Sequence, residues 1–224
     1  MKLPEITERG IWSANECADV AKLVKTLPSY WIDRGVFWTV GAATYQDPPR
    51  AYTGIANCAN IVLDHYFYSL PVFKYLMSEL SVIYGANVVV MRDFARPSFH
   101  VFTDKANGLH GSLHVDEPYK RLALPDGWHS PTSFTMAVEL PKKGGGMNYW
   151  SNDTLPIARD FHQDDKILPP PDAHLSYKLG VLYKHDGLFY HQISNNHRAE
   201  KDDFRITLQG HTVTLPTGDV LAYF

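Results

Sequence analysis

Residues 203–224 read DFRITLQGHTVTLPTGDVLAYF: two short runs of β-branched, aromatic and aliphatic residues, with a turn signal between them. Such runs predict strands rather than helices. Upstream the same texture recurs in LFYHQI (188–193), LSYKLGVLYKH (175–185), MNYW (147–150), SFTMAVEL (133–140), SFHVFT (98–103) and ANVVVMRDF (86–94). Short strands at fairly regular spacing indicate a sandwich or a barrel. Everything from Ala86 onward is therefore expected to be β.

Before residue 86 the pattern changes. ANECADVAKLVKTL (14–27) carries Val20, Leu23, Val24 and Leu27 at helical spacing, with Ser13 and Glu16 in the capping-box positions. A second helical run is expected from about Asn60 to Tyr84, broken or kinked at Pro71 and ended by Gly85. FWTVGAATYQDPPRAY (37–52), between the two helices, suits a strand or an ordered loop. The expected organisation is one domain over 1–224, an α+β fold that is mainly β, with residues 1–85 as a helical support layer and 86–224 as the core. LPPPD (168–172) reads as a rigid loop.

With 224 residues, 45% hydrophobic and 20% charged, the chain is long enough to bury one substantial core and has neither a disordered nor a membrane-like composition. A formal charge of −3 with scattered basic residues gives no general attraction to phosphate backbones, so nucleic acid is not an expected partner. Cys17 and Cys58 are the two cysteines and form no CxxC pair, which fits a reducing cytoplasm. MKLPEITERG has no apolar segment of the secretory kind, and no stretch reaches the roughly 20 apolar residues of a membrane span. Cytoplasmic location is the expectation.

Three features carry chemistry. In GSLHVDEPY (111–119), His114 and Asp116 are two apart, so on an extended strand both side chains point the same way and can share an ion. A second imidazole from elsewhere would complete a two-His, one-carboxylate set that leaves coordination positions open; His191 in GLFYHQIS offers it, with His185 and His197 as rivals. Arg205 lies farther on. A guanidinium pointing into an apolar barrel is costly unless an anion meets it, and a carboxylate is the partner its fork grips with two hydrogen bonds. Thr207, on the same strand face, adds a hydroxyl.

The order HVD, GGGMNYW, GLFYHQI, RIT resembles the 2-oxoglutarate/iron(II)-dependent dioxygenase superfamily, whose members carry an HxD…H iron triad and an RxS/T co-substrate motif on a double-stranded β-helix. The resemblance covers roughly residues 86–224. It implies that His114, Asp116 and His191 are the Fe(II) ligands, that Arg205 anchors 2-oxoglutarate with Thr207 assisting, and that O2 is consumed with release of succinate and CO2. GGGMNYW resembles the glycine turn and aromatic strand these proteins place between the ligand sites, and HQI resembles their H-x-V/I, which favours His191 over its rivals. Related halogenases have Gly or Ala at the carboxylate position, so Asp116 points to hydroxylation or desaturation. The interval from Ser194 to Phe204 is longer than in compact members.

By proximity in sequence, His110, Glu117, Tyr119 and Arg121 around the first ligands, Asn148 and Trp150 after the glycine turn, and Arg92 and His100 on the early strands are the expected substrate contacts. His65, His129, His162, His174 and His211 are expected to be surface or satisfied core residues. The favoured substrate is a small molecule, an amino acid or natural-product intermediate hydroxylated at an unactivated C–H bond. Segments 117–130 and 151–174 would serve either as a lid for it or as a groove for a peptide, whose side-chain hydroxylation is the second reading. A non-catalytic, cupin-like metal-binding module is the third; the HxD pair and the downstream Arg fit it poorly.

Overall fold

The computed structural model describes residues 4–106, 111–155, 168–194 and 202–224. Three α-helices pack on one face of a large sheet: α1 (Ala14–Lys25), α2 (Pro49–Leu63) and α3 (Pro71–Tyr84). The strands are β1 (Thr7–Gly10), β2 (Trp31–Asp33), β3 (Trp38–Val40), β4 (Val88–Val89), β5 (Ser98–Phe102), β6 (His129–Glu139), β7 (Gly146–Tyr149), β8 (Ala173–Ser176), β9 (Val181–His185), β10 (His191–Ile193), β11 (Arg205–Thr214) and β12 (Val220–Tyr223).

Helix α1 starts as its sequence dictates. The Ser13 hydroxyl accepts from the Glu16 N–H and the Glu16 carboxylate accepts from the Ser13 N–H, which satisfies two donors that the first turn leaves free. The second helical run begins at Pro49, eleven residues earlier than its apolar periodicity suggests. The stripe that α2 buries is Tyr52, Ala56, Asn60 and Leu63, and before Leu63 it uses an aromatic, a small and a polar residue that aliphatic periodicity does not flag. Asn60 is held by its amide: it donates to the Phe94 carbonyl and accepts from the Arg96 N–H. After a π-helical turn over Asp64–Tyr68, Pro71 opens a new helix, and Gly85 ends it in the left-handed conformation at φ 63°.

The main sheet runs β1-β9-β6-β11-β5-β3-β2, with β12 paired to β11 and β4 paired to β12. The first 85 residues thus supply three strands besides helices, and they extend both edges of the sheet. A smaller antiparallel sheet, β10-β7-β8, faces it. The two sheets form a jelly roll, the double-stranded β-helix, with helices on one flank.

Strand alternation divides the main sheet into two chemistries. Ile206 and Leu208 on β11, Phe134 and Met136 on β6, and Phe99 and Val101 on β5 point to the helices and join Val20, Val24, Phe67, Phe73, Leu76 and Leu80 in the core. The opposite faces carry Arg205, Thr207, Gln209 and His211, then Ser133 and Thr135, then His100 and Phe102, and these look toward the smaller sheet. Among the described residues no helix is long and apolar enough to cross a membrane.

The core and the cap differ in weight. Phe99 is fully buried against Phe67 and Phe73 at ring-centroid distances of 4.9 and 6.1 Å. Phe99→Ala is expected to cost about 3–5 kcal/mol of unfolding free energy and Ser13→Ala about 1 kcal/mol, both read from urea unfolding curves.

Candidate metal centre

His114 stands on a short extended segment that borrows its geometry from β10. His114 N–H donates to the His191 carbonyl at 3.0 Å and His191 N–H returns the bond at 2.9 Å. A reciprocally bonded antiparallel pair presents both side chains on one face, and the two imidazole centroids are 4.3 Å apart. Asp116, two residues on, shares that face. Its N–H donates to the Gly187 carbonyl at 3.0 Å, and a Cβ at Gly187 (φ +71°) would stand 2.7 Å from the Asp116 Cβ. Only a glycine fits there.

Asp116 Oδ1 lies 3.5 Å from Nε2 of both His114 and His191, and the three donor atoms all fall within 4.8 Å of one another. The Nδ1 of His114 contacts the Ser112 carbonyl at 2.8 Å and that of His191 the Phe189 carbonyl at 3.0 Å. A carbonyl only accepts, so each Nδ1 carries the proton and each Nε2 lone pair is free for a metal. Burial disfavours charge on Asp116, but imidazoles protonated at Nε2 outweigh it, His191 through its charge and both rings through hydrogen bonds, and hold the carboxyl well below the usual carboxylate range; a metal would take the place of those protons, leaving both rings neutral. Two neutral imidazoles and one carboxylate on one face, with the rest of the coordination sphere open to a cavity, form a donor set that fits ferrous iron.

The cavity has a volume of about 530 Å³ and lies between the two sheets. Arg205 is fully buried at the start of β11, two and four residues before Thr207 and Gln209 on the same face; it does not itself line the cavity, but its neighbours Phe102 and Tyr177 do. Its Nη2 donates to the Gly146 carbonyl at 3.3 Å, the carbonyl of the glycine turn itself. Its Nε and Nη1 have no hydrogen-bond partner among the described residues. Phe102 and Tyr177 flank the guanidinium at 5.4 and 5.5 Å. Burial pushes its pKa down to about 10, so it remains charged at neutral pH. A buried cation with two unsatisfied donors calls for an anion with two acceptors, and a dicarboxylate meets that need. Thr207 is fully buried on the same face and accepts from Gln209 Nε2 at 3.4 Å.

No family model matches the sequence, and no curated protein matches it at the sequence level. Solved structures do resemble it. An N-substituted L-amino acid dioxygenase from Burkholderia ambifaria AMMD, in complex with α-ketoglutarate, superposes with a TM-score of 0.57 at 9% identity, over 98% of this chain and 86% of that one. EvdO2 from Micromonospora carbonacea var. aurantiaca, complexed with 2-oxoglutarate, superposes with a TM-score of 0.51 at 16% identity, over 94% and 86%. This chain shares their fold.

Within that fold the expected substrate contacts separate. His100, Glu117 and Arg121 line the cavity. Tyr119 does not: it packs on Trp128 at 5.1 Å. Trp150 is buried with Leu113, Leu155 and Tyr190, and its indole donates to the Pro169 carbonyl. Asn148 points away from the cavity and accepts from His174, because the inward position on β7 belongs to Met147. Arg92 is exposed beside a separate hollow formed with Asn57, Cys58 and Arg96. It sits in the loop after β4, where no strand turns it inward. His110, His162 and His197 lie outside the described residues, as does much of 151–174.

Of the rivals, His185 lines the cavity but is not one of the converging donors. Its ring is 5.5 Å from that of His191, its Nδ1 accepts from the Gly187 N–H at 3.0 Å, and burial pushes its pKa down to about 3. Accepting at Nδ1 fixes a neutral ring with the proton on Nε2. His211 also lines the cavity, bonded to Ser133 at 2.9 Å. Its even spacing from Arg205 along one strand was the available signal. Tyr45, Arg34 and Asp47 were not foreseen. Arg34 grips Asp47 with two bonds of 2.7 and 3.0 Å, and Arg121 donates to the carbonyls of Tyr45 and Asp47 at 2.6 and 3.2 Å. The reach across 34, 47 and 121 is tertiary and leaves no mark in the local sequence.

Gly187→Ala is expected to lower Fe(II) affinity by about 10–100-fold, the range seen when a ligand's support is lost, and His114→Ala by more than that. Anaerobic isothermal titration with Fe(II) measures both.

Proposed function

We propose that this protein is an Fe(II)- and 2-oxoglutarate-dependent oxygenase that hydroxylates an unactivated C–H bond of a small molecule, an amino acid or natural-product intermediate, with release of succinate and CO2. One observation carries the reading: the His114, Asp116 and His191 donors converge on a cavity also lined by Phe102 and Tyr177, the two residues that flank the guanidinium of Arg205, a buried cation with unsatisfied donors. The fold shared with 2-oxoglutarate-bound proteins supports it.

The division of labour follows from the residues. Iron with the keto acid would supply the oxidising power. His114, Asp116 and His191 would hold the metal; the Ser112 and Phe189 carbonyls keep the proton of each imidazole on Nδ1, and the Gly187 carbonyl fixes the Asp116 backbone. Arg205, with Thr207, binds the distal carboxylate through the two donors the protein leaves free. Phe37, Phe102, Val115 and Met147 line the cavity with apolar surface and exclude water from it. His185 presents a neutral Nε2–H beside the metal face, a donor suited to orienting a substrate acceptor. The cavity volume of about 530 Å³ is of small-molecule size, which favours a metabolite over a peptide.

Charge also closes. A dication, the Asp116 carboxylate, a dianionic keto acid and the Arg205 guanidinium sum to zero, so the loaded site buries no net charge.

Anaerobic addition of Fe(II) and 2-oxoglutarate is expected to give a weak visible charge-transfer band. Arg205→Met should weaken 2-oxoglutarate binding by about 100-fold, the order expected for losing charge-assisted bonds in a buried site, while Fe(II) affinity stays within a few-fold. A band of undiminished affinity in that variant removes Arg205 from the co-substrate site. Succinate formation stimulated by a peptide digest and not by a metabolite extract would transfer the assignment to peptide substrates.

A further inference from the structure

Arg205 is not alone in having an unsatisfied donor in this interior. His100, on β5, is 5% exposed and is caged by Phe37 at 4.9 Å, Phe224 at 5.2 Å and Phe102 at 6.1 Å. One ring nitrogen, Nε2, is hydrogen-bonded to the Tyr45 hydroxyl. The other, Nδ1, is buried and has no partner among the described residues.

The tautomer can be worked out from the protons. Tyr45 is buried, and burial first of all raises its pKa well above the usual value, so the phenol keeps its proton. Its hydrogen-bond partner among the described residues is His100 Nε2, so the arrangement that gives the phenol proton an acceptor is the one in which Nε2 accepts. His100 itself is neutral, its pKa held well below the ordinary value by burial and then by the Arg205 charge. A neutral imidazole that accepts at Nε2 carries its hydrogen on Nδ1. The unpartnered atom is therefore an N–H donor, and leaving one unsatisfied in a protein interior is costly.

Its place in the sheet says what the donor meets. His100 is directly opposite Thr207 across the β5–β11 pair, one inward-facing position along from Phe102, which is opposite Arg205. His100 lines the same cavity as His114, Asp116 and His191, and the charges of Arg205, His211, His114 and Arg34 all act on its ring.

We propose that His100 is a third donor of the dicarboxylate cradle: its Nδ1–H hydrogen-bonds a carboxylate oxygen of 2-oxoglutarate, and Tyr45 is the positioning residue that locks the required tautomer. The inference rests on the oxygenase reading above and adds a ligand-contacting residue and its orienting partner. A neutral donor there strengthens diacid binding without adding a second positive charge to a site whose charges already sum to zero.

The experiment is an anaerobic calorimetric titration of 2-oxoglutarate into the full-length, Fe(II)-loaded protein, with Fe(II) affinity measured separately for each variant. His100→Asn places an amide N–H where Nδ1 stands and releases Tyr45. His100→Gln places its amide at the Nε2 end, keeps Tyr45 engaged and loses the Nδ1 donor. The expected result is a Kd for 2-oxoglutarate within about threefold of wild type for Asn and raised about tenfold or more for Gln. A merely structural role through Tyr45 gives the reverse order. Tyr45→Phe, which leaves the ring free to take the other tautomer, is expected to raise Kd by about threefold or more, and it decides the matter should either His100 variant fail to fold. Gln binding as tightly as wild type, or an unchanged Kd in Tyr45→Phe, overturns the proposal. Wild-type protein that binds Fe(II) but no 2-oxoglutarate overturns instead the oxygenase reading on which it stands.

Discussion

A guanidinium removed from water without a counter-charge is among the least favourable things a protein interior can hold, and Arg205 is in that position: fully buried, with no carboxylate paired to it among the described residues. The surroundings make sense as accommodation of that charge. Phe102 and Tyr177 offer ring faces, the glycine turn offers the Gly146 carbonyl, and no further acceptor is supplied. The shortfall is what a bound diacid would fill. The triad at the other end has the opposite character, an anionic carboxylate between two lone pairs. Both poles are incomplete separately, and the cavity, lined by the triad and by the Phe102 and Tyr177 that flank Arg205, is where a molecule able to complete both would enter.

Local backbone architecture sets each pole. The reciprocal His114–His191 bonds make a strand-like pair out of one residue on each side, enough to aim two imidazoles together. Gly146 and Gly187 are needed for close approach: a Cβ on Gly146 would meet the Leu175 carbonyl oxygen at 2.3 Å, and one on Gly187 would push into Asp116. Neither glycine touches a ligand, yet each sets the position of a group that does.

Much of this could be read in the chain beforehand, because its signals are local. The two-residue spacing of His114 and Asp116 and the alternation of Arg205 with Thr207 follow from strand periodicity, and the Ser13–Glu16 box marks the start of α1 by itself. The start of α2 is hidden because its buried stripe before Leu63 uses Tyr52, Ala56 and Asn60 rather than large aliphatic residues. Asn148 and Trp150 were placed near the ligands correctly in sequence, but the pleat turns Asn148 outward and the indole of Trp150 is spent on packing. Tyr45 and Asp47 lie in a loop far from the motifs, and their relation to His100, Arg34 and Arg121 is created by the fold alone. Alternation along β11 carries the cavity row on to His211, whereas a lone histidine read without its strand looks like any other core residue.

The brace of Arg34, Asp47 and Arg121 bears on how the cavity is entered. Asp47 takes the Arg34 fork on its carboxylate and one Arg121 nitrogen on its carbonyl, the other Arg121 nitrogen going to the Tyr45 carbonyl, while its Oδ2 also accepts from the Ala43 N–H at 2.7 Å. Arg34 and Arg121, both of which line the cavity, are thereby pinned to one residue. Side-chain rotamers that a looser rim would surrender on each encounter are already frozen, so the entropy of shaping this stretch of the doorway is spent during folding, once, and not again with every guest that arrives.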